Sequence, residues 1–400
     1  MARKRLHKRF FVQDHIIIVA FNTSIVHGCD YAQETIRILS KHNSVFGFAL
    51  GEPITWRIIG ENPTTIKKII SFKNNVCYIR PLFVLPGQRY QTIQTFNNFI
   101  NACLLRLYFM LRYPLQRKLL WVFEPFHVPA LLPAFLGIPI LYDCVDYFPA
   151  FSELAKRNER ILLKRATWVV ANSFALTKRV RKIRKDTVCV PLGFNSLLFS
   201  HAKILGIQKQ TPKKQFTVGF IGGIGKRLDV PLLRQVTRDL PDISFLFVGG
   251  VEQNVFGTND NFIKQWNAYK KETNVVWKDN VSKKNVLSVI ASFDVCMIPY
   301  DITNPFNRYC FPMKTMEYFA LGKPVIATDM YSLRPYARRG LLTIIHTSDE
   351  FIRNIRSIQR LGWSREKMQQ QRQEADIQSW ENKVDAIYSV LQRKISSGDL

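Results

Sequence analysis

Lys314 and Glu317 stand three residues apart in the segment Phe311-Pro-Met-Lys-Thr-Met-Glu-Tyr-Phe-Ala-Leu-Gly-Lys-Pro-Val-Ile-Ala-Thr328. Residues at that spacing share one face of a helix. A cation and a carboxylate held together at the mouth of an α/β sheet can grip a phosphate and a ribose hydroxyl pair. An ordinary i,i+3 surface salt bridge is the competing reading. The flanking residues predict a short helix over 313–321, entered at Pro312, with Gly322 as a left-handed C-cap and Pro324 blocking continuation. The apolar run 325–328 then predicts a buried strand of a parallel sheet.

Further chemistry is suggested by Gly222-Gly223-Ile-Gly225-Lys-Arg227-Leu-Asp229, which follows a predicted strand at 216–221. Glycines let a backbone approach an anion, and the helix that follows offers its first N–H groups. Lys226 or Arg227 can add a charge-assisted grip on a diphosphate. A plain tight turn between strand and helix is the alternative, and Asp229 reads as a helix cap or a partner of Arg227. Gly249 and Gly250, at the next strand end, would admit a planar base or a diphosphate, and Tyr300 stands at the same sheet rim, as pocket lining or as packing. In the first half, Leu141-Tyr-Asp-Cys-Val-Asp146 ends a strand with Asp143 and Asp146 three residues apart. One of them can serve as a general base for a hydroxyl, unless Asp146 caps the next helix. Glu124-Pro-Phe-His127 ends the preceding strand, with His127 as either a ligand-orienting or a structural histidine.

These groups need two sheets to hold them. At 400 residues the chain suits two domains. One α/β series starts with a strand at 16–21 and a helix at 31–41. It continues with a strand at 45–49, a long helix at 91–111 and strands at 119–123, 138–142, 168–171 and 188–190. A second series starts at 216 with strands at 244–248, 274–277, 295–299 and 325–328. Residues 208–215 read as a linker, and a mostly polar helix runs through Gln373. In the last helix Trp380, Val384, Ile387, Tyr388 and Leu391 form one apolar stripe, with Ser379 as N-cap. The expected domains are 1–200, 201–375 and a C-terminal helix at 376–400.

Composition narrows the setting. No apolar stretch is long enough for a membrane helix, and the N-terminal region does not read as a signal peptide. Seven scattered cysteines without a C-x-x-C pair indicate neither a disulfide framework nor a zinc site, which suits a reduced cytoplasmic setting. The net charge is +27, with +17 in residues 1–200 (28 Lys+Arg against 11 Asp+Glu) and +10 in the remainder (29 against 19). Basic runs at 3–9 and 178–185 attract polyanions, and Val180 with Ile183 suits an amphipathic helix on a core or a bilayer. An anionic membrane surface is the expected partner, a solvated helix face the alternative, and nucleic acid is not expected.

The 311–328 segment, P-x-K-x-x-E-Y-x-A-x-G-K-P-V-I-A-T, resembles the donor-site segment of nucleotide-sugar glycosyltransferases with the GT-B fold. It is most similar to glycosyl transferases group one, or family four, within the branch of teichuronic-acid-type glucuronosyltransferases. The segments at 141–146 and 222–229 and the S-W-E-x-K-V ending resemble the same branch. The resemblance implies an α/β fold of two facing Rossmann-like domains with a cleft between them and a C-terminal helix crossing back. It implies that Glu317 binds the donor ribose, that Lys314 and Arg227 approach the diphosphate, and that Gly28, Gly222 and Gly223 face it, beside Gly249 and Tyr300 as the candidate lining read from the strand ends. Asp143, Asp146 and His127 would face the acceptor. Tyr309 replaces a first glutamate that many retaining members carry, and Arg308 beside it can pair with the carboxylate of a uronic acid. The implied activity is transfer of a hexose or uronic acid from a nucleotide-diphosphate sugar, with UDP the expected nucleotide, to an envelope glycan or lipid-linked acceptor. It needs no metal and no cofactor, because basic side chains and backbone dipoles neutralise the leaving group. The expected location is the cytoplasm, peripheral on the inner face of the cell membrane. A nucleotide-sugar 2-epimerase of the same fold and a non-catalytic polyanion-binding module are the rival readings.

Overall fold

The computed structural model describes residues 15–22, 30–73, 76–87, 89–196, 199, 215–252, 260–282 and 284–396. It divides into two compact units, Met1–Pro191 with Trp380–Leu400, and Leu192–Ser379. The first crossing thus falls earlier than the expected 200/201. Leu192, Phe194 and Phe199 are buried, with the two phenylalanine rings 5.8 Å apart, and Phe194 N–H donates to Gln378 O at 2.9 Å. Burial of those apolar side chains draws the segment into the second unit.

The first unit is built on β1 (Ile16–Phe21), β2 (Ser44–Ala49), β3 (Ile54–Thr55), β4 (Ile70–Lys73), β5 (Val76–Ile79), β6 (Leu82–Phe83), β7 (Lys118–Val122), β8 (Ile140–Cys144), β9 (Trp168–Ala171) and β10 (Val188–Cys189). Eight of these form one sheet in the order β10-β9-β8-β7-β1-β2-β5-β4, and β3 pairs with β6 alone. Every pairing in the large sheet is parallel except β4 with β5. β1 is buried along its whole length, as its unbroken run of isoleucine, valine, alanine and phenylalanine requires in a sheet covered on both faces. The short strands between 54 and 83 carry no period strong enough to announce them.

The second unit carries β11 (Thr217–Ile221), β12 (Ser244–Val248), β13 (Val275–Lys278), β14 (Val295–Ile298), β15 (Val325–Thr328) and β16 (Thr343–Ile345), all parallel in the order β13-β12-β11-β14-β15-β16. Both sheets therefore reverse their winding beside their first strand, between β1 and β7 and between β11 and β14. Ligands of open α/β sheets sit outside the carboxyl ends of the strands at such a reversal.

The expected polar helix is two helices, Ser348–Leu361 and Arg365–Ile377, parted at Gly362 with φ +74°. The last helix, Trp380–Ser396, belongs to the first unit and buries Trp380, Val384, Ile387, Tyr388 and Leu391.

Candidate functional site

Two polar sites lie at these reversals, one in each unit. In the second unit β11 runs into Gly222, whose φ is +136°, and β12 runs into Gly249, whose φ is +150°. A Cβ on Gly249 would lie 2.0 Å from Gly222 O, and one on Gly222 would lie 2.7 Å from Lys314 Nζ. Only glycine permits this approach. The two loops are then pinned side by side, with Ile224 N–H donating to Gly250 O (2.9 Å) and Glu252 N–H to Ile224 O (2.8 Å). A Cβ on Gly223 would collide with the Glu252 carboxylate, so a carboxylate overlooked in the sequence closes one side of the loop.

Tyr300, just beyond β14, is buried and collects two cations. Lys314 Nζ donates to its hydroxyl at 2.8 Å, and the Arg227 guanidinium lies 4.2 Å from its ring centroid. Lys314 also lies 3.7 Å from the Phe220 ring centroid. Burial, and then the charge of Arg227, lower the Lys314 ammonium to a pKa of about 7, against the pull of Glu317 and Glu252. Burial pushes the Tyr300 hydroxyl up to about 12. Arg227 is aimed by a group the sequence reading gave no role. Asn307 is fully buried, its Oδ1 accepts from Arg227 Nε at 3.1 Å, and its Nδ2 donates to Arg227 O (3.2 Å) and Asp301 O (2.8 Å). Arg227 Nη2 also donates to Cys310 Sγ at 3.0 Å, whereas Lys226 is exposed.

The helix that carries Lys314 and Glu317 is Lys314–Ala320, with Gly322 at φ +67° after it. Glu317 sits in its first turn, half-buried. Arg308 Nε donates to Ile302 O at 3.1 Å, and its guanidinium lies 5.8 Å from the Tyr331 ring. Tyr309, at the position of the missing glutamate, also packs on Tyr331, with centroids 5.1 Å apart. Asp229 caps the helix Val230–Asp239 by accepting from Leu232 N–H at 3.0 Å. Gly222, Gly223, Arg227, Gly249, Tyr300 and Lys314 are thus gathered at one sheet end.

The site of the first unit gathers residues from β1, β7 and the long helix Gln91–Arg112. Glu124 is buried, and its carboxylate accepts from Asn22 N–H (2.5 Å) and from the Tyr31 hydroxyl (2.6 Å). His127 is set between two asparagines, Nδ1 3.1 Å from Asn98 Nδ2 and Nε2 2.9 Å from Asn22 Oδ1. An amide NH₂ can only donate, so Nδ1 accepts and the proton resides on Nε2. Burial holds this imidazole neutral, with a pKa of about 4, and raises Glu124 to about 7 against its two hydrogen-bond donors. The sequence reading missed Asn22 and Asn98, and named Glu124 without a role.

Asp143 requires a correction. Its side chain is 0% exposed, that of Lys383 is 1% exposed, and Nζ stands 2.6 Å from Oδ2. A carboxylate so enclosed and so paired has no route to an acceptor hydroxyl, and it anchors the C-terminal helix instead. Asp146, two residues beyond β8, is half-buried. It is no helix cap, since Tyr147 and Ser152 hold the N-cap positions that follow, and Ser152 Oγ accepts from Ala155 N–H at 3.1 Å.

Of the remaining expectations, Gly28 and the basic run 3–9 lie outside the described residues, as does nearly all of the linker. The run 178–185 is only partly helical, because the helix Phe174–Val180 ends in turns. Arg179 is bound by Glu159 at 2.6 and 2.7 Å, Arg181 Nε donates to Thr187 O at 2.9 Å, and Arg184 binds Asp186 at 2.6 Å, so two of the six cations are answered by carboxylates of the same unit. Among the described residues no cluster of three His, Cys, Asp or Glu side chains could hold a metal, and no helix is long and apolar enough to cross a membrane.

Known proteins share this architecture. Sucrose-phosphate synthase from Thermosynechococcus elongatus superposes with a TM-score of 0.72 at 16% identity, over 96% of this chain and 100% of that one. Anabaena Alr3699/HepE, in complex with UDP-glucose, gives 0.65 at 15% identity over 94% and 99%. WaaG, a glycosyltransferase involved in lipopolysaccharide biosynthesis, gives 0.62 at 11% over 94% and 99%. At such identities these likenesses establish the fold, which is GT-B. Residues 215–360, within the second unit, match the family described as Glycosyl transferases group 1. TuaH of Bacillus subtilis (strain 168), named for a glycosyltransferase of teichuronic acid biosynthesis, is 28% identical over 240 residues. That match spans 54% of this chain and 57% of that relative.

Proposed function

We propose that this chain is a glycosyltransferase that moves a hexose or uronic acid from a nucleotide-diphosphate sugar, with UDP as the nucleotide, to an envelope glycan or lipid-linked acceptor. The observation that carries the proposal is the pairing of Arg227 and Lys314 on the Tyr300 ring beside the joined Gly222 and Gly249 loops. Two cations crowded by desolvation, one of them held near neutrality, form a place where a diphosphate relieves repulsion. In the transfer step the bond from the anomeric carbon to the diphosphate oxygen breaks, and that oxygen keeps the electron pair. Arg227, Lys314 and the backbone dipoles of the glycine loops compensate the charge as it develops, without a metal. The acceptor oxygen bonds to the anomeric carbon, and its proton passes to the Asp146 carboxylate. Neutral His127, whose Nε2–H is already committed to Asn22 Oδ1, braces the first unit's site rather than acting as a base. Glu317 takes the ribose hydroxyls, and Arg308, oriented through Ile302 O, meets the carboxylate of a uronic acid.

The name of TuaH and the UDP-glucose in the HepE crystals favour this donor and this acceptor class. The net charge of +27 favours work against an anionic membrane face. The decisive experiment is a thermal-shift screen of the intact protein against nucleoside diphosphates and their sugars, with Lys314→Ala and Glu317→Ala as controls. A UDP-specific stabilisation lost in both variants is expected, and an unchanged response in both would remove the assigned donor site. An epimerase would release an altered nucleotide sugar with no acceptor present, and a polyanion-binding module would show no saturable response to UDP at all.

A further inference from the structure

The long helix Gln91–Arg112 buries one stripe and leaves a second stripe of the same character in solvent. Ala102, Leu105 and Phe109, at i, i+3 and i+7, face the core, while Leu104, Leu107 and Leu111, at the same spacing on the opposite side of the helix, are exposed, Leu111 to 75%. A helix apolar on nearly all sides is normally covered on all sides.

Further exposed apolar residues stand on the sheet edge. β2, β5 and β4 are neighbours, with Phe46 opposite Cys77 and Cys77 opposite Phe72, so these three side chains share one sheet face. Phe46 packs on Tyr108 and Phe109 of the helix, with centroids 6.3 and 4.8 Å apart, which identifies that face as the one the helix covers. Phe72 is 78% exposed there, with Ile70 beside it on the same face. Exposed apolar side chains therefore stand both on the helix and on the edge strand, on the sheet face that the helix covers.

Charge says what covers it. Between positions 62 and 123 the sequence has nine lysines and arginines and no aspartate or glutamate. The preceding carboxylates, Glu61 and Glu52, are held by Arg57 and Arg80 at 2.9 Å. Lys67, Lys68, Lys73 and Arg112 are exposed, Lys73 and Arg112 directly following Phe72 and Leu111 in the chain. A second copy of this chain would bring the same positive rim into contact with itself. Exposed leucine and phenylalanine rimmed by cations fit the acyl boundary and phosphate layer of an anionic bilayer.

We infer that the surface formed by Leu104, Leu107 and Leu111 with Ile70 and Phe72 inserts into the interface of an anionic lipid bilayer, seating the first unit on the membrane. The inference rests on the transferase reading only for its purpose, a lipid-linked acceptor, and its test needs neither donor nor acceptor. The full-length protein is sedimented with phosphatidylcholine vesicles containing about a third phosphatidylglycerol, and with phosphatidylcholine alone, across a salt series. The same samples are checked for UDP-induced thermal stabilisation and for oligomeric state. Anionic vesicles are expected to bind at least ~tenfold more protein than neutral ones, and Leu107→Glu with Leu111→Glu to reduce that binding ~tenfold with the UDP response intact. Phe72→Ser should weaken binding by a smaller factor. Wild-type protein that ignores anionic vesicles yet responds to UDP would overturn the inference and leave the transferase reading standing. Undiminished binding by the double variant, with loss instead on neutralising Lys178, Lys182 and Lys185, would also overturn it. So would a dimer that the double variant dissociates.

Discussion

Lys383 Nζ lies 2.6 Å from Asp143 Oδ2, in a pair closed off from water and 240 residues apart in the sequence. The pair fastens the helix Trp380–Ser396 to the end of β8, and Lys383 packs within 6 Å of the Phe123 and Trp380 ring centroids, at 5.8 and 5.6 Å. Removing one partner of a buried pair strands the other charge in a low dielectric. Lys383→Met is therefore expected to destabilise the protein by ~3–5 kcal/mol in chemical denaturation. Asp143→Asn combined with Lys383→Met should recover much of that loss. If Asp143 were instead the base of the reaction, Asp143→Asn would abolish turnover while leaving the unfolding midpoint in place.

Lys314 links donor affinity to pH. Its pKa is about 7 in the free protein, and a bound diphosphate pulls it back toward its ordinary 10.5. Above pH 7 binding must therefore take up a proton, and UDP affinity should fall by up to ~tenfold per pH unit from there into the alkaline range. Calorimetry at pH 8.5 in buffers of different ionisation enthalpy should register the uptake of about one proton, and Lys314→Gln should bind weakly with no such dependence.

Asn307 positions Arg227 without an expected contact to the donor. Asn307→Ala removes the acceptor on Arg227 Nε and the donor to Asp301 O, while Arg227 O keeps only the Asp301 N–H at 2.8 Å. A loss of ~1–2 kcal/mol in UDP binding is expected, about a tenfold rise in Kd, with the fold retained by circular dichroism. Asn307→Asp, which keeps the acceptor and adds a charge beside Arg227, should restore part of the affinity.

Glu124 and His127 give the first unit opposite responses to pH. The Glu124 carboxyl is raised from 4.5 to about 7, so its contribution is full below pH 4.5 and is lost as pH rises through 7. The His127 imidazole is lowered from 6.5 to about 4, so its contribution is full above pH 6.5 and is lost as pH falls toward 4. Glu124→Gln should remove the first decline, worth on the order of 2 kcal/mol between pH 5 and pH 8, and leave the second untouched. Urea midpoints across that range separate the two.

Asp146→Asn is expected to lower kcat by ~100-fold or more while the thermal response to UDP stays at the wild-type level. A proportionate loss of UDP response would place Asp146 in folding or in donor binding instead.

Much of the architecture was legible because parallel strands announce themselves as unbroken apolar runs. The strands at 16–21, 168–171 and 325–328 appear at the residues expected, and Gly322 ends its helix in the left-handed conformation its position demanded. What the sequence hid were pairings across long separations. Asn307 lies 80 residues from Arg227, and no local pattern connects them. Glu124 and His127 were visible as residues, but Asn22 and Asn98, which fix the imidazole, come from other elements. Asp143 was misread because a carboxylate at a strand end looks the same whether it faces a ligand or a buried lysine. One signal was available: Lys383 sits in the apolar stripe of Trp380, Val384 and Ile387, where a cation needs a buried anion.

The return of Trp380–Ser396 to the first unit has a consequence for biogenesis. A ribosome completes residues up to Pro191 long before it reaches Lys383, so the opening unit waits through the synthesis of the whole second unit for its final helix. Until then Asp143 lacks its counter-ion and must stay in contact with water. A message truncated ahead of position 380 therefore yields an incomplete first unit rather than a smaller working part.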